Sequence, residues 1–184
     1  MEKQQELFEN MRNKKEKIEN LKEHYFSNFD KIIAEFGNLD SKILILGISP
    51  VSSHYNSESA SCFAFDINLK QTQKSGGILC KTFEQLGINI EEVLWDNIFK
   101  TPEEMLTDDS RNAALKYMKE FIKLINPKLI ICLGNSCQTA INKVIIDKNI
   151  RIVKVLHPAA HLRGFYSFEE YVKNWERLKL GEIK

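Results

Sequence analysis

Lys42-Ile43-Leu44-Ile45-Leu46-Gly47 is a continuous apolar run, opened by a lysine and stopped by a glycine. A run this short suits a strand buried on both faces, as in a parallel sheet. Three further segments read as strands: Glu92–Phe99, Lys128–Gly134 and Arg151–Leu156, the last ending at His157-Pro158. Helical spacing lies between and after them. It runs from Ile78 to Leu86 with Gly87 closing it, over 110–125 with Asn126-Pro127 as the stop, from Ser136 to Ile146, and from Phe168 to Leu180. Upstream, Leu7, Met11, Ile18, Leu21, Tyr25, Phe29, Ile32 and Phe36 recur at spacings of three, four and seven. They predict one amphipathic helix over 2–36, capped by Gly37-Asn38 and packed on the domain.

Strands that alternate with helices imply an α/β fold. The expected organisation is an N-terminal helical segment, 1–37, on a single domain, 38–184. That domain has a central, mostly parallel four-stranded sheet flanked by helices. In such sheets the C-terminal strand ends line the ligand crevice. This gathers Gly47-Ile48-Ser49-Pro50, Asn97, Gly134-Asn135 and His157-Pro158 around one site. Residues 48–76, rich in Ser, Asn, Gln and Gly, read as a long loop inside the domain, and such loops are usually functional or disordered.

Composition narrows the classes. The chain has 184 residues, 43 % apolar and 28 % charged, values that suit one globular domain. No apolar run reaches the length of a membrane span. The first residues, MEKQQELFENMRNKKEK, are charged and lack the apolar core of a signal peptide, so the expected compartment is the cytoplasm. Cys62, Cys80, Cys132 and Cys137 are scattered without C-x-x-C spacing, which argues against a zinc or iron–sulfur site. Cys132, inside an apolar run, reads as a buried thiol. A net charge of +1 is compatible with a DNA partner, since a basic face can sit inside a balanced total.

Three segments then fall in one order on the strand ends. Gly47-Ile48-Ser49-Pro50 resembles the first motif, G-[QEIM]-[DNA]-P, of the uracil-DNA glycosylase superfamily. Trp95-Asp96-Asn97-Ile98-Phe99-Lys100-Thr101-Pro102 resembles its middle motif, T-N-x-x-K-x-x-P. His157-Pro158-Ala159-Ala160-His161-Leu162-Arg163 is similar to the H-P-[SA]-x-x-x-R motif after the last strand. The glycine-led helix from Gly76-Gly77 and the Pro127-Lys128 to Gly134 strand fit the same family, so the likeness covers about 42–178. Taken singly, Gly47 and Gly134 are also plain strand-end turns, and His157 a strand-end histidine satisfied by backbone. The joint order is what carries the resemblance.

The resemblance implies a DNA glycosylase that flips a base and cuts its N-glycosidic bond, a reaction in which the sugar gains oxocarbenium character. By it, His157 donates a hydrogen bond to the departing base, where negative charge grows. Asn97 reads the base edge with an amide that offers donor and acceptor. The stacking wall is Phe63 or Phe65, with Cys62-Phe63-Ala64 favouring Phe63. Backbone N–H groups after Gly47 face the base carbonyl and a phosphate. His161 or Leu162 presses into the gap left by the base, and Arg163 meets phosphate. No metal and no cofactor are implied, and the expected partner is DNA, bound by a monomer.

Two departures stand out. Ser49 occupies the place where many members carry Asp or Asn to position water, and a serine hydroxyl is a poor base. Asp66, Glu58 and Asp96 are the acidic candidates to take that role, although Asp96 and Asn97, adjacent on a strand, face opposite ways. Val51 follows Pro50 where strict uracil enzymes carry a bulky tyrosine, which leaves room for a 5-substituted pyrimidine. The alternatives are therefore a catalytically weakened DNA-binding module of the same fold, with Ser49 as the scar, and a glycosylase directed at foreign modified DNA rather than base excision repair.

Overall fold

The computed structural model describes residues 2–26, 31–51, 62–64, 74–144 and 148–183. Its strands are β1 (Phe36–Gly37), β2 (Ile43–Gly47), β3 (Leu94–Asn97), β4 (Leu129–Leu133) and β5 (Arg151–Val155). They form one sheet in the order β1-β3-β2-β4-β5, with β3, β2, β4 and β5 parallel and β1 antiparallel to β3. The α/β fold with a mostly parallel sheet is as expected. The count of four strands is corrected to five by the short edge strand β1.

The helices are α1 (Glu2–Phe26), α2 (Lys74–Gln85), α3 (Asp108–Ile125), α4 (Asn135–Asn142), α5 (Pro158–Leu162) and α6 (Phe168–Glu176). The expected helix over 2–36 is corrected too. α1 closes at Phe26, residues 31–35 are not helical, and Phe36 lies in β1. Phe29 lies outside the described residues. The four-residue step from Ile32 to Phe36 fits both a helical and a two-residue repeat, so spacing could not separate them. Gly37 allows the turn out of β1. Its φ is +100°, and a methyl group there would stand 2.0 Å from the Val93 carbonyl oxygen. α2 begins at Lys74, inside the segment read as loop, and Cys62–Ala64 form a single 3₁₀ turn.

Both faces of the sheet are buried. Leu44, Leu46, Ile130 and Cys132 pack with Ile18 and Phe26 of α1, Tyr117 and Phe121 of α3, and Cys137 and Ile141 of α4. Ile43, Ile45, Leu129, Ile131 and Trp95 pack with Leu79 and Phe83 of α2, and Tyr171 and Trp175 of α6. Thus β2 runs on to a helix of one layer and its neighbour β4 to a helix of the other. The gap between their C-terminal ends is the crevice of this architecture.

α3 shows local and tertiary signals in agreement. Thr107 and Ser110 form a reciprocal capping box at its start, and Asn126 closes it in the left-handed conformation at φ 52°, donating its N–H to the Ile122 carbonyl at 2.8 Å. Asn126→Val should lower stability by about 1–2 kcal/mol, the cost of a branched side chain there, while Asn126→Gly should leave it unchanged or raise it. Thermal unfolding checks this, with the valine variant melting about 2–8 °C lower.

Candidate functional site

The site grows from strand parity. β2 and β3 run abreast, with Gly47 opposite Asn97. Their pairing continues past the strand ends through Ile98 N–H to the Gly47 carbonyl at 3.0 Å and Phe99 N–H to the Ile48 carbonyl at 2.8 Å. Trp95 faces the α2/α6 layer, so Asn97 does too, and Asp96 turns to the α1/α3 layer. The opposed orientation expected of Asp96 and Asn97 is what the strand adopts.

Asn97 is 1 % exposed, and its Oδ1 has no hydrogen-bond partner among the described residues. A buried acceptor left so costs about 1–3 kcal/mol. It lies over Gly47: a methyl group on that glycine would stand 2.5 Å from Asn97 Oδ1 and 2.7 Å from Phe63 Cζ. Gly47, Asn97 and Phe63 therefore form one contact group, and only glycine leaves space for the other two. Phe63 is held there at some expense. Its φ is +59°, a conformation that costs a non-glycine residue about 1–2 kcal/mol. Two contacts of the same turn over-determine it: Cys62 N–H to the Ala34 carbonyl at 3.0 Å and Cys62 Sγ to the Trp95 carbonyl at 3.2 Å. The Phe63 ring meets Trp95 edge to face at 5.7 Å between centroids. Phe65, Asp66 and Glu58 lie outside the described residues.

Two strands further along the same edge, Gly134 ends β4 at φ 85°, close against the Cβ of His157, which follows β5. His157 caps α5: its Nδ1 accepts the Ala159 N–H at 3.1 Å. With Nδ1 used as an acceptor, the proton of the neutral ring sits on Nε2, which becomes the donor. Burial, then the Arg163 charge, hold the imidazole pKa below its ordinary value. Asn135, read as a neighbour of the site, is exposed and accepts from Lys154 at 2.7 Å.

Ser49 is half-buried just past β2, and Val51 is 55 % exposed at the end of that described stretch. Of the two residues expected at the tip, His161 is turned back: its Nδ1 lies 2.9 Å from the Tyr166 carbonyl and its ring meets Phe168 and Tyr171. Leu162 is 43 % exposed and Arg163 is exposed beside it. The sequence reading stopped at Arg163 and missed Phe165 and Tyr166, 70 % and 41 % exposed. The Gly164-Phe165-Tyr166 run after a basic residue was their available signal.

Asp96, an acidic candidate for activating water, is fully buried and makes an ion pair with Lys100, so it does not serve that role. Among the described residues no three His, Cys, Asp or Glu side chains gather as a metal site. No described helix is long and apolar enough to cross a membrane. A groove of about 590 Å³ opens at the other end of the sheet, beside Phe36, Asn38 and Asn89. It is flanked by Asp40, Glu91 and Glu92, the wrong sign for a phosphate backbone.

Residues 34–179 match the family model described as the uracil DNA glycosylase superfamily. No curated protein matches the chain.

The ring of His157 should therefore titrate below 6.5 and show the Nε2–H tautomer, both read from its ¹⁵N shifts. The unfolded chain takes up this proton first as pH falls. The stability contributed by neutral His157 is thus complete above about 6.5 and lost as pH falls through the lower folded-state value. An imidazole that titrates above 6.5, or carries its proton on Nδ1, contradicts the Ala159 contact.

Proposed function

Because the chain belongs to the uracil-DNA glycosylase superfamily, a family that acts on DNA, we propose that it is a monofunctional DNA N-glycosylase, which turns uracil or a larger modified pyrimidine out of the helix and leaves an abasic site. The observation that carries this reading is the orphaned Oδ1 of Asn97, which lies with the Phe63 ring over Gly47 at the crevice of the sheet. A flipped pyrimidine needs a polar group on its edge and a flat wall on its face. Asn97 supplies the first and Phe63 the second, and the base recovers the free energy of the unsatisfied acceptor.

The bond from the anomeric carbon to N1 of the base breaks with both electrons going to the base. Negative charge then grows on the base and the sugar becomes an oxocarbenium ion. His157 donates from Nε2 to the charged base oxygen, while backbone N–H groups after Gly47 meet the other polar atoms and a phosphate. A neutral donor suits this task, since it stabilises an anion without first giving up a proton. Water adds to the anomeric carbon and releases its proton to solvent, with Ser49 orienting it. Leu162 fills the gap in the stack, Arg163 binds phosphate, and Phe165 extends the apolar tip. Val51, at the mouth, leaves room for a 5-substituent.

Single-turnover assays on oligonucleotides with uracil or 5-substituted pyrimidines, scored for abasic sites, test the reading. Wild type should cut at least one, and His157→Ala should cut it about a hundredfold more slowly. A mutant within about threefold removes His157 from the mechanism. In the same assay Gly47→Ala should lose most activity while costing less than about 2 kcal/mol of stability, because its methyl displaces two side-chain ends rather than backbone. Full activity in that variant would remove the Gly47, Asn97 and Phe63 group from base binding.

A further inference from the structure

Behind Asn97 lies a buried group of charges that the reaction does not use. Glu35 precedes β1, and since Phe36 stands opposite Trp95 in an antiparallel pair, Glu35 comes opposite Asp96. Two carboxylates facing each other across strands repel, and both are withdrawn from water: Asp96 is fully buried and the Glu35 side chain is 14 % exposed. Each has its own lysine. Lys100, 1 % exposed, pairs with Asp96 and lies over the rings of Tyr117 and Phe121 at 5.1 and 5.8 Å. Lys22 of α1, 6 % exposed, pairs with Glu35 at 2.9 Å and with the more exposed Glu19 at 2.8 Å. The Asp96 oxygen that holds Lys100 also accepts the backbone N–H of Asn97 at 2.7 Å.

We propose that Lys22, on a helix outside the family-matched span, is a positioning residue for Asn97: by neutralising Glu35 it leaves Lys100 to Asp96, which fixes the Asn97 backbone. Without Lys22, Glu35 becomes a buried anion on which the charge of Lys100 still acts. Glu35 already feels that charge. Burial raises its pKa, but Lys100 and then Lys22 bring it below the usual carboxylate value. Asp96 has no reserve to compete with, since burial leaves its pKa raised in spite of Lys100. Lys100 drawn toward Glu35 releases the Asp96 carboxylate to rotate, and the N–H it held moves with it. The inference rests on the base-reading role proposed for Asn97, but the network can be observed without any activity.

The test is a mutant cycle on the full chain with two readouts: the backbone amide signal of Asn97 by ¹H–¹⁵N NMR, and the single-turnover excision rate. Lys22→Met should shift the Asn97 signal and slow excision about ten- to a hundredfold, the scale of a misplaced binding group. Adding Glu35→Gln, which removes the competing charge, should return both toward wild type, and Lys22→Arg should change neither. A folded Lys22→Met protein with the Asn97 signal in place, or a double variant no better than the single one, overturns the proposal. If Lys22→Met does not fold, Glu35→Gln is compared with Glu35→Gln/Lys22→Met. The two should agree in signal and rate, and a further loss in the second overturns it. A wild-type chain that cuts no base sinks the glycosylase reading alone, and the amide signal still decides the network.

Discussion

Every placement at the site depends on one constraint, the two-residue alternation of strands buried on both faces. Leu44 and Leu46 belong to the layer of α1, α3 and α4, and Ile43 and Ile45 to the layer of α2 and α6. Because β3 is in register with β2, the same parity sends Asp96 into the first layer and Asn97 into the second. One dipeptide thereby serves two environments. Asp96 enters an apolar layer and must bring its own cation, which is Lys100 four residues on. Asn97 enters the side where Gly47 lacks a side chain and Phe63 approaches. A one-residue slip of β3 would exchange the two and abolish both arrangements.

The site gathers several unfavourable terms in one place. Several buried groups elsewhere are satisfied by ordinary means. The Trp95 indole N–H reaches the Ile90 carbonyl at 2.8 Å, and the Thr82 hydroxyl reaches the Ile78 carbonyl at 2.7 Å. At the crevice, Asn97 Oδ1 is unpartnered among the described residues, Phe63 has a positive φ, and His157 is kept neutral by burial and by Arg163. The unpartnered acceptor and the strained backbone are each tolerable singly, at about 1–3 kcal/mol. Their clustering at the strand ends of a parallel sheet is the pattern of a surface prepared for a ligand.

The strands were legible because double burial writes unbroken apolar runs, as at Ile43–Leu46 and Leu129–Leu133, and the glycines after them marked the ends. The site was legible where a residue's position along a strand fixes its direction, which holds for Gly47 and Asn97. It was not legible where tertiary contact decides. Ile32 and Phe36 kept a helical spacing but left the helix, because the chain there joins the sheet edge and Ile33 N–H bonds the Lys100 carbonyl at 3.1 Å. His161 and Leu162 are adjacent and equally suited to a protruding tip. Tertiary contacts separate them: His161 meets the Tyr166 carbonyl and the rings of Phe168 and Tyr171. The partnership of Lys22 with Glu35 joins residues thirteen apart, across a change from helix to strand, and no local pattern announces it.

The middle motif shows why a carboxylate beside a candidate base-reading residue is no guide to water activation. An acid that activates water must reach it, and must give up and regain a proton near neutral pH. Asp96 fails the first requirement: it is fully buried on the far side of the strand, and its Oδ1 is taken by Lys100 and the Asn97 N–H. Its negative charge acts on the backbone instead. In the proposed reaction the difficult event is departure of the base, and the groups that face the crevice are hydrogen-bond donors and acceptors rather than a strong base. Once the sugar is an oxocarbenium ion, even neutral water adds readily, so a half-buried serine in the first motif is sufficient where a carboxylate is not required. The demand therefore falls on the position of Asn97 and the neutrality of His157, which makes the charges behind the strand matter to chemistry in front of it.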